Sequence, residues 1–213
     1  MDFQVFTREV SKIKKLPLPG EASHYKMMPA FRQKELDTFI TDRQNSRKAA
    51  VMALFYSGKG KETHFLLILR KTYEGVHSNQ VALPGGKAEL SDADLLETAL
   101  RETKEEVGVS PKAIQVIKPL SKVYIPPSNF EVQPFLGFSE VPLSFVAQES
   151  EVAALVEVRL RDLLDDANVF DQRLNTSYAK NVSVPAFRLN GHTVWGATAM
   201  MLSELKELFS QVW

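Results

Sequence analysis

The stretch that decides the fold runs from residue 85 to residue 109 and reads GGKAELSDADLLETALRETKEEVGV. A diglycine turn opens it, and a helical pattern with three carboxylates at its far end follows. Glu102, Glu105 and Glu106 are spaced i, i+3 and i+4, so they share one helix face with Cβ atoms about 5–6 Å apart. Each such pair destabilises a solvated helix by about 0.2–0.5 kcal/mol, and by more where water is excluded.

These carboxylates therefore need a positive partner, and Arg101 is one nearby cation for three anions. A divalent metal ion would neutralise them, and oxygen ligands favour Mg²⁺ or Mn²⁺ over zinc. The alternative interpretation is a Glu-rich helix face that is simply solvated. The turn at residues 83–86 favours a site, because its two glycines let backbone groups approach a ligand without a Cβ in the way.

The helix carries its own start and stop signals. Ser91 and Asp94 form a candidate capping box, which predicts a start at about residue 92, and Gly108 predicts the end. The apolar stripe consists of Leu96, Ala99, Leu100, Thr103 and Val107. This stripe predicts that the glutamates leave the helix on the side away from the core and face the diglycine turn.

The segment resembles the Nudix box, in which a glycine and a spaced acidic residue precede Arg-Glu-x-x-Glu-Glu-x-Gly, here residues 101–108. The resemblance implies an α/β/α sandwich with a mixed sheet between helices. It also implies that the Gly86 carbonyl, Glu102 and Glu106 bind the metal, that Glu105 supports one metal ion and that Arg101 orients the acidic cluster. Arg101, Glu102 and Glu105 are the catalytic residues expected on this basis.

Two features are similar to the coenzyme A pyrophosphatase branch of that family. The spaced acidic residue is Asp92 instead of Glu, and residues 93–100 separate it from Arg101, one more than in the usual box. An apolar run that ends in Arg70 leads to the diglycine turn, as in the branch's second signature. The chain departs from that signature at three positions, which are Gly75, Asn79 and Leu83.

The branch resemblance implies where substrate would bind. Arg70 and Lys71 lie just before the turn and could contact the extra phosphate of coenzyme A, although a basic strand end also commonly faces water. The remaining candidate substrate-binding residues are His77, Gly85, Gly86 and Lys87.

The implied reaction is attack of an activated water on a diphosphate. With coenzyme A or its thioesters as substrate, the products are 3′,5′-ADP and 4′-phosphopantetheine or its acyl form. Glu105, Glu149 and Glu151 are open alternatives for the base. Another nucleoside diphosphate derivative such as ADP-ribose is an alternative substrate, and a binding or regulatory module without catalysis is an alternative function.

Composition limits the other classes. The 213 residues include 26 basic and 26 acidic side chains and no cysteine, so disulfides, thiolate zinc sites and a cysteine nucleophile are excluded. A neutral chain lacks the basic excess of a nucleic-acid binder, and no apolar run approaches the ~20 residues of a membrane span. We expect a cytoplasmic protein with a small diphosphate substrate, no nucleic-acid or membrane partner, and a possible homodimer.

The apolar patterns predict one Nudix domain over residues 1–213, with an N-terminal helical extension over about 1–48. A helix with Phe3, Phe6, Val10 and Ile13 on its apolar face begins the chain. Two strands at 49–56 and 64–70 form a hairpin, and Asn190-Gly191 marks a second hairpin. Beyond Gly196 an amphipathic helix closes the chain, with the apolar positions Met201, Leu202, Leu205, Leu208 and Phe209. Strands on both sides of a central helix predict a mixed sheet between helical layers.

Overall fold

The computed structural model of the protein describes residues 1–30, 45–71, 80–174 and 181–213. The α-helices within these ranges are α1 (Phe3–Lys15), α2 (Glu21–Lys26), α3 (Leu95–Val107), α4 (Leu160–Leu164) and α5 (Gly196–Phe209). The strands are β1 (Arg47–Ser57), β2 (Thr63–Arg70), β3 (Val81–Ala82), β4 (Gly85–Lys87), β5 (Gln115–Pro119), β6 (Val123–Ile125), β7 (Phe130–Ser139), β8 (Val152–Arg159), β9 (Val169–Leu174), β10 (Val182–Leu189) and β11 (His192–Trp195).

An eight-stranded mixed sheet organises the fold. Its main path runs β3-β2-β1-β7-β5, and β4, β6 and β8 pair with β1, β7 and β2. β1 and β7 are parallel along ten residue pairs from Arg47↔Phe130 to Tyr56↔Ser139. The chain between them carries α3, because parallel neighbours require a crossover connection. The predicted β1–β2 hairpin is confirmed, with Phe55 opposite Phe65.

Alternate residues of β1 point to opposite faces of the sheet and build two apolar layers. On one face Met52 and Leu54 cluster with Ala99 of α3. On the other face Ala53 and Phe55 join a cluster that includes residues of α1 and α5. The expected α/β/α sandwich with a mixed sheet between helices is therefore confirmed.

The C-terminal part also follows its patterns. Asn190 and Gly191 have φ values of 45° and 79°, as a two-residue hairpin turn requires, and they join β10 to β11. β9 pairs with β10 and completes a three-stranded sheet. The predicted closing helix is α5, and its five predicted apolar positions are all buried, namely Met201, Leu202, Leu205, Leu208 and Phe209.

The N-terminal helix α1 belongs to the core of the sandwich. Phe6 is fully buried, and its ring stacks on Phe55 of β1 at a centroid distance of 5.3 Å and meets Phe209 of α5 edge-on at 6.0 Å. β1 begins at Arg47, and residues 31–44 of the predicted extension lie outside the described residues. The assignment of residues 1–213 to one domain stays a prediction.

Buried Glu204 of α5 also contacts the N-terminal region of the chain. Its carboxylate accepts hydrogen bonds from the backbone N–H groups of Gly20, at 3.1 Å, and Ser121, at 3.0 Å, and lies 3.4 Å from Nε2 of His24. Burial opposes the charge, but the contacts with His24 and Ser121 outweigh it and lower the pKa of Glu204. One carboxylate therefore links α2, α5 and the loop before β6.

The predicted start of α3 is wrong. Asp94, with extended backbone angles, is the N-cap, and its side chain accepts a hydrogen bond from the Glu97 N–H at 2.8 Å, so the helix begins at Leu95. Glu97 in turn accepts from the Ala93 N–H at 2.6 Å. Asp94 and Glu97 therefore cap the helix start in place of the predicted pair of Ser91 and Asp94, with Glu97 bonded to the residue before the N-cap. The predicted end at Gly108 is confirmed, with φ of 76°.

The position of Phe6 generates a stability prediction. Phe6→Ala should lower the free energy of unfolding by about 3–5 kcal/mol, because a fully buried ring between two helices and the sheet leaves a cavity. Urea denaturation measures this change. Val5→Ala is the matched control, since Val5 is an exposed neighbour on α1, and it should change stability by less than about 0.5 kcal/mol. Similar small effects for both variants would show that α1 does not stabilise the core.

Candidate functional site

The diglycine turn lies against the middle of the sheet. β4 begins at Gly85 and pairs antiparallel with β1, and the Met52 N–H donates to the Pro84 carbonyl at 2.8 Å. Gly85 has a φ of 149°, and a Cβ there would collide with the backbone of β1. A Cβ on Gly86 would lie 2.5 Å from the carboxylate of Glu102. Both glycines are therefore needed, one for the sheet and one for the acidic cluster.

Glu106 is buried beneath this turn, with its side chain 2% exposed. Its Oε2 accepts from the Gly85 N–H at 2.8 Å, and its Oε1 accepts from Nη1 of Arg70 at 3.2 Å. Burial raises the pKa of Glu106 to about 7, opposed by Gly85 and Arg70 and assisted by the charges of Glu102 and Glu151. The expectation that all three glutamates leave the core is wrong for Glu106, which lies inside the protein.

Arg101 binds the other two carboxylates of the cluster, those of Glu102 and Glu105. Its Nη1 donates to Glu102 Oε1 at 2.9 Å and to Glu105 Oε2 at 3.0 Å. The Glu102 side chain is 14% exposed and that of Glu105 is 56% exposed. Burial raises the pKa of Glu102, although its contact with Arg101 opposes this shift. Glu102 therefore lies at the border of the buried region, and Glu105 lies at the surface.

Asp92 holds Arg101 in place from the loop before the helix. Nε of Arg101 donates to Asp92 Oδ1 at 2.8 Å, and Nη2 donates to Oδ2 at 3.0 Å and to the Lys87 carbonyl at 3.1 Å. The contact with Arg101 keeps the pKa of Asp92 far below its usual value. The shorter acidic side chain still reaches Arg101 across the one-residue-longer spacing. The departure from the usual box therefore leaves this ion pair intact.

A second guanidinium group was not anticipated at the acidic cluster. Arg101 was the one cation expected next to the three carboxylates. Arg70, at the end of β2, also pairs with one of them, Glu106. The carboxylates are held by these two side chains and by Gly85, and within the described ranges no three His, Asp or Glu groups form a ready-made metal group. The carboxylate oxygens of Glu102 and Glu106 still suit a hard divalent ion, and Glu102 lies beside a glycine whose Cβ, if present, would fill the space next to it.

The remaining candidates lie at the rim or outside the described residues. The Lys71 N–H donates to the Glu151 carbonyl at 2.8 Å, which places the turn before β8 beside the end of β2. The charge of Glu151, which is an exposed residue, adds to the effect of burial in raising the pKa values of both Glu102 and Glu106. The side chains of Lys71, Lys87 and Glu149 are exposed. His77 lies outside the described residues.

Comparisons with known proteins identify the family of the chain. Residues 46–175 match the model of the NUDIX domain. The Nudix hydrolase NudL of Yersinia enterocolitica is 32% identical over 163 residues, which cover 76% of this chain and 82% of the relative. NudL of Cronobacter sakazakii is 34% identical over 161 residues, with the same shares. The chain therefore belongs to the Nudix hydrolase family.

Solved structures show the same fold. The Nudix hydrolase RenU of M. smegmatis matches with a TM-score of 0.54 and 18% identity, covering 78% of this chain and 88% of RenU. A MutT/nudix family protein of Enterococcus faecalis matches with a TM-score of 0.50 and 18% identity, covering 93% of this chain and 75% of that protein.

Across the described parts of the chain, no helix is long and apolar enough to cross a membrane. A cytoplasmic location and a homodimer stay predictions.

The Asp92–Arg101 contact generates a prediction about stability and pH. Asp92→Asn should lower the free energy of unfolding by about 1–3 kcal/mol near pH 7, because it weakens two charge-assisted hydrogen bonds. A carboxylate with a depressed pKa stabilises the fold above its unfolded pKa, and this stabilisation is lost as the pH falls. The difference between the wild-type and variant curves should therefore begin to shrink below about pH 4, and it should close only as the pH approaches the depressed pKa of folded Asp92.

The matched control is Asp94→Asn, the same chemical change two residues away. Asparagine caps a helix as well as aspartate does, so this variant should stay within about 0.5 kcal/mol of wild type. Urea unfolding at several pH values measures both variants. A constant difference between wild type and Asp92→Asn down to pH 3 would contradict the assigned ion pair.

Proposed function

We propose that the protein is a metal-dependent pyrophosphohydrolase that cleaves the diphosphate of coenzyme A or its thioesters to 3′,5′-ADP and 4′-phosphopantetheine or its acyl form. The observation that carries the proposal is the convergence of Glu102 and Glu106 on the Gly85-Gly86 turn. Carboxylates held beside an open backbone turn suit an ion that itself binds phosphate oxygens.

Glu102, Glu106 and the Gly86 carbonyl would hold Mg²⁺ or Mn²⁺, and Glu105 would support this group from the helix surface. A divalent ion supplies charge neutralisation for the diphosphate and for the departing phosphate. Arg101 keeps the helix carboxylates oriented through its contacts with Glu102, Glu105 and Asp92. The Gly85 N–H fixes Glu106 from the opposite side.

Glu151 is the best-supported base among the three candidates. Its carboxylate acts electrostatically on both Glu102 and Glu106, and its backbone is fastened to Lys71. One carboxylate oxygen of Glu105 instead accepts a hydrogen bond from Arg101. In the proposed step a water attacks phosphorus, Glu151 accepts the water proton, the P–O anhydride bond breaks, and the second phosphate leaves with the bonding electron pair.

Two observations favour coenzyme A within the family. Arg70 ends β2 beside the acidic cluster and exposed Lys71 follows it, so a phosphate outside the diphosphate would have two neighbouring basic residues to contact. The spacing from Asp92 to Arg101 and the apolar run into Arg70 are the sequence features of the coenzyme A branch. Loss of catalysis is disfavoured, because Arg101, Glu102, Glu105 and Glu106 are all present.

Substrate profiling with product identification tests the proposal. With Mg²⁺, we expect coenzyme A to be cleaved to 3′,5′-ADP and 4′-phosphopantetheine, detected by mass spectrometry. Dephospho-coenzyme A should have a kcat/KM about tenfold to a hundredfold lower, since a charge-assisted contact to the 3′-phosphate contributes about 1.5–3 kcal/mol. Faster cleavage of ADP-ribose would overturn the coenzyme A assignment and leave a Nudix hydrolase. No cleavage of any diphosphate would favour a binding module.

Two variants control for the site in the same assay. Glu102→Gln and Glu106→Gln should each lower turnover on the order of 10³-fold, equivalent to ~4 kcal/mol of transition-state stabilisation. Circular dichroism would establish that both variants are folded. Near wild-type turnover of both variants at saturating Mg²⁺ would contradict their assignment as metal ligands.

The base assignment has a prediction of its own. Glu151→Gln should lower kcat by about 10²–10⁴-fold with little change in KM, because the amide cannot accept the water proton. The fall of kcat at acidic pH should also flatten, since the protonated base no longer limits the rate. Glu149→Gln, the same change in the same turn, should keep wild-type kinetics. The reverse pattern between the two variants would assign the base to Glu149.

A further inference from the structure

The backbone of Arg70 is fixed while its side chain is partly free. Its N–H donates to the Gln80 carbonyl at 3.0 Å, and it pairs with Val152 where the β2–β8 register shifts between Leu69 and Arg70. The Arg70 side chain is 25% exposed. The side chain can therefore change partners without any movement of the strand.

The two arginines of the site are held very differently. Arg101 has carboxylate contacts to Asp92, Glu102 and Glu105 and also a backbone contact. For the guanidinium of Arg70, the contact found within the described residues is the single bond to Glu106 at 3.2 Å. Among the described residues, Arg101 is thus held by several partners, whereas the guanidinium of Arg70 has one.

The two oxygens of Glu106 also differ in their partners. Oε2 accepts from the neutral Gly85 N–H, which fixes the carboxylate whether or not Arg70 is present. Oε1 is taken by the charged Arg70. A divalent ion that used Oε1 would meet a positive nitrogen beside the same atom, and two cations at that separation repel each other.

We propose that Arg70 is a positioning residue that occupies Glu106 in the metal-free protein, yields it to a divalent ion, and then binds the anionic substrate. This inference rests on the proposed function, because it takes Glu106 as a metal ligand. Arg70 lowers the affinity of the empty site for metal and becomes a free cation when the metal binds. By thermodynamic linkage, a phosphate-bearing ligand that binds the released Arg70 must in turn strengthen metal binding.

Mn²⁺ titration without substrate tests the exchange directly. Free Mn²⁺ is measured by electron paramagnetic resonance for wild type, Arg70→Gln and Arg70→Lys. Arg70→Gln should bind Mn²⁺ about tenfold more tightly, because the competing charge is gone. Arg70→Lys should stay near wild type, since it keeps the charge. The matched control is Arg8→Gln, an exposed arginine of α1 on the other side of the sheet, which should leave the affinity unchanged.

Thermal unfolding supplies a second measurement that needs no activity. Without metal, Arg70→Gln should melt at a lower temperature than wild type, because buried Glu106 loses its countercharge. Saturating Mn²⁺ should remove most of this difference, since the ion replaces Arg70. A purely structural salt bridge would instead leave the same difference in both conditions, and that result would overturn the exchange.

The outcomes separate this inference from the proposed function. Equal or weaker Mn²⁺ binding by Arg70→Gln overturns the exchange, while the site itself stands if Glu106→Gln weakens Mn²⁺ binding. If Glu102→Gln and Glu106→Gln both bind Mn²⁺ as tightly as wild type, these residues do not form a metal site. That result would overturn the exchange as well.

Discussion

The hydrogen bond from the Gly85 N–H to buried Glu106 joins the sheet to the helix on which the site is built. β4 places the turn on β1, and α3 places the carboxylate under the turn. A buried carboxylate without a donor would be strongly unfavourable, so each side of this contact fixes the other. A side chain at Gly85 would push the turn off β1, and the distance between the turn and Glu102 would change with it.

The charge balance around this contact explains why the site can exchange ions. Five carboxylates, those of Asp92, Glu102, Glu105, Glu106 and Glu151, lie on or around α3, and among the described residues two guanidinium groups pair with four of them. Arg101 is bound so firmly to Asp92 that it acts as part of the scaffold. The excess negative charge falls on the buried side of the cluster, where burial and like charges raise the pKa values of Glu102 and Glu106. A divalent ion relieves this repulsion better than Arg70 can, because it brings two charges to the same place.

Local patterns predicted most of the fold, because strand alternation and helical spacing report directly on burial. They predicted β1, β2, the Asn190-Gly191 hairpin and the closing helix α5. The start of α3 was missed because Asp92, expected near the first helical residue, is bound to Arg101 outside the helix, and this contact depends on the folded loop. Asp94 with Glu97 also matched a capping pattern, but choosing between overlapping patterns required knowing which aspartate was already engaged.

The sequence predicted which residues form the candidate site, but it did not predict the ion pairs between them. The acidic cluster and the diglycine turn follow from spacing along one segment. The contact between Arg70 and Glu106 joins residues 36 positions apart, and no periodic pattern reports on it. The apolar run that ends in a basic residue was the available signal, and it was interpreted as a substrate contact alone. The choice of Glu151 over Glu149 as the proposed base likewise depends on the conformation of the turn before β8. The residues next to them in the sequence do not determine that conformation.

The way α3 ends provides the last constraint on the site. The final carbonyl groups of a helix need donors from outside it. Those of Glu106 and Val107 are satisfied by the N–H groups of Gln148, at 2.9 Å, and Val146, at 3.0 Å. Three alternate residues of this segment pack on the α3 side of the sheet, namely Leu143, Phe145 and Ala147. The chain that caps the helix continues directly into Glu151 and β8, so the contacts that complete the helix also hold the backbone of Glu151 near the C-terminal end of α3. The position of the proposed base therefore depends on the way the helix ends, and a change in the capping segment would move this base relative to the proposed metal ligands even with every site residue unchanged.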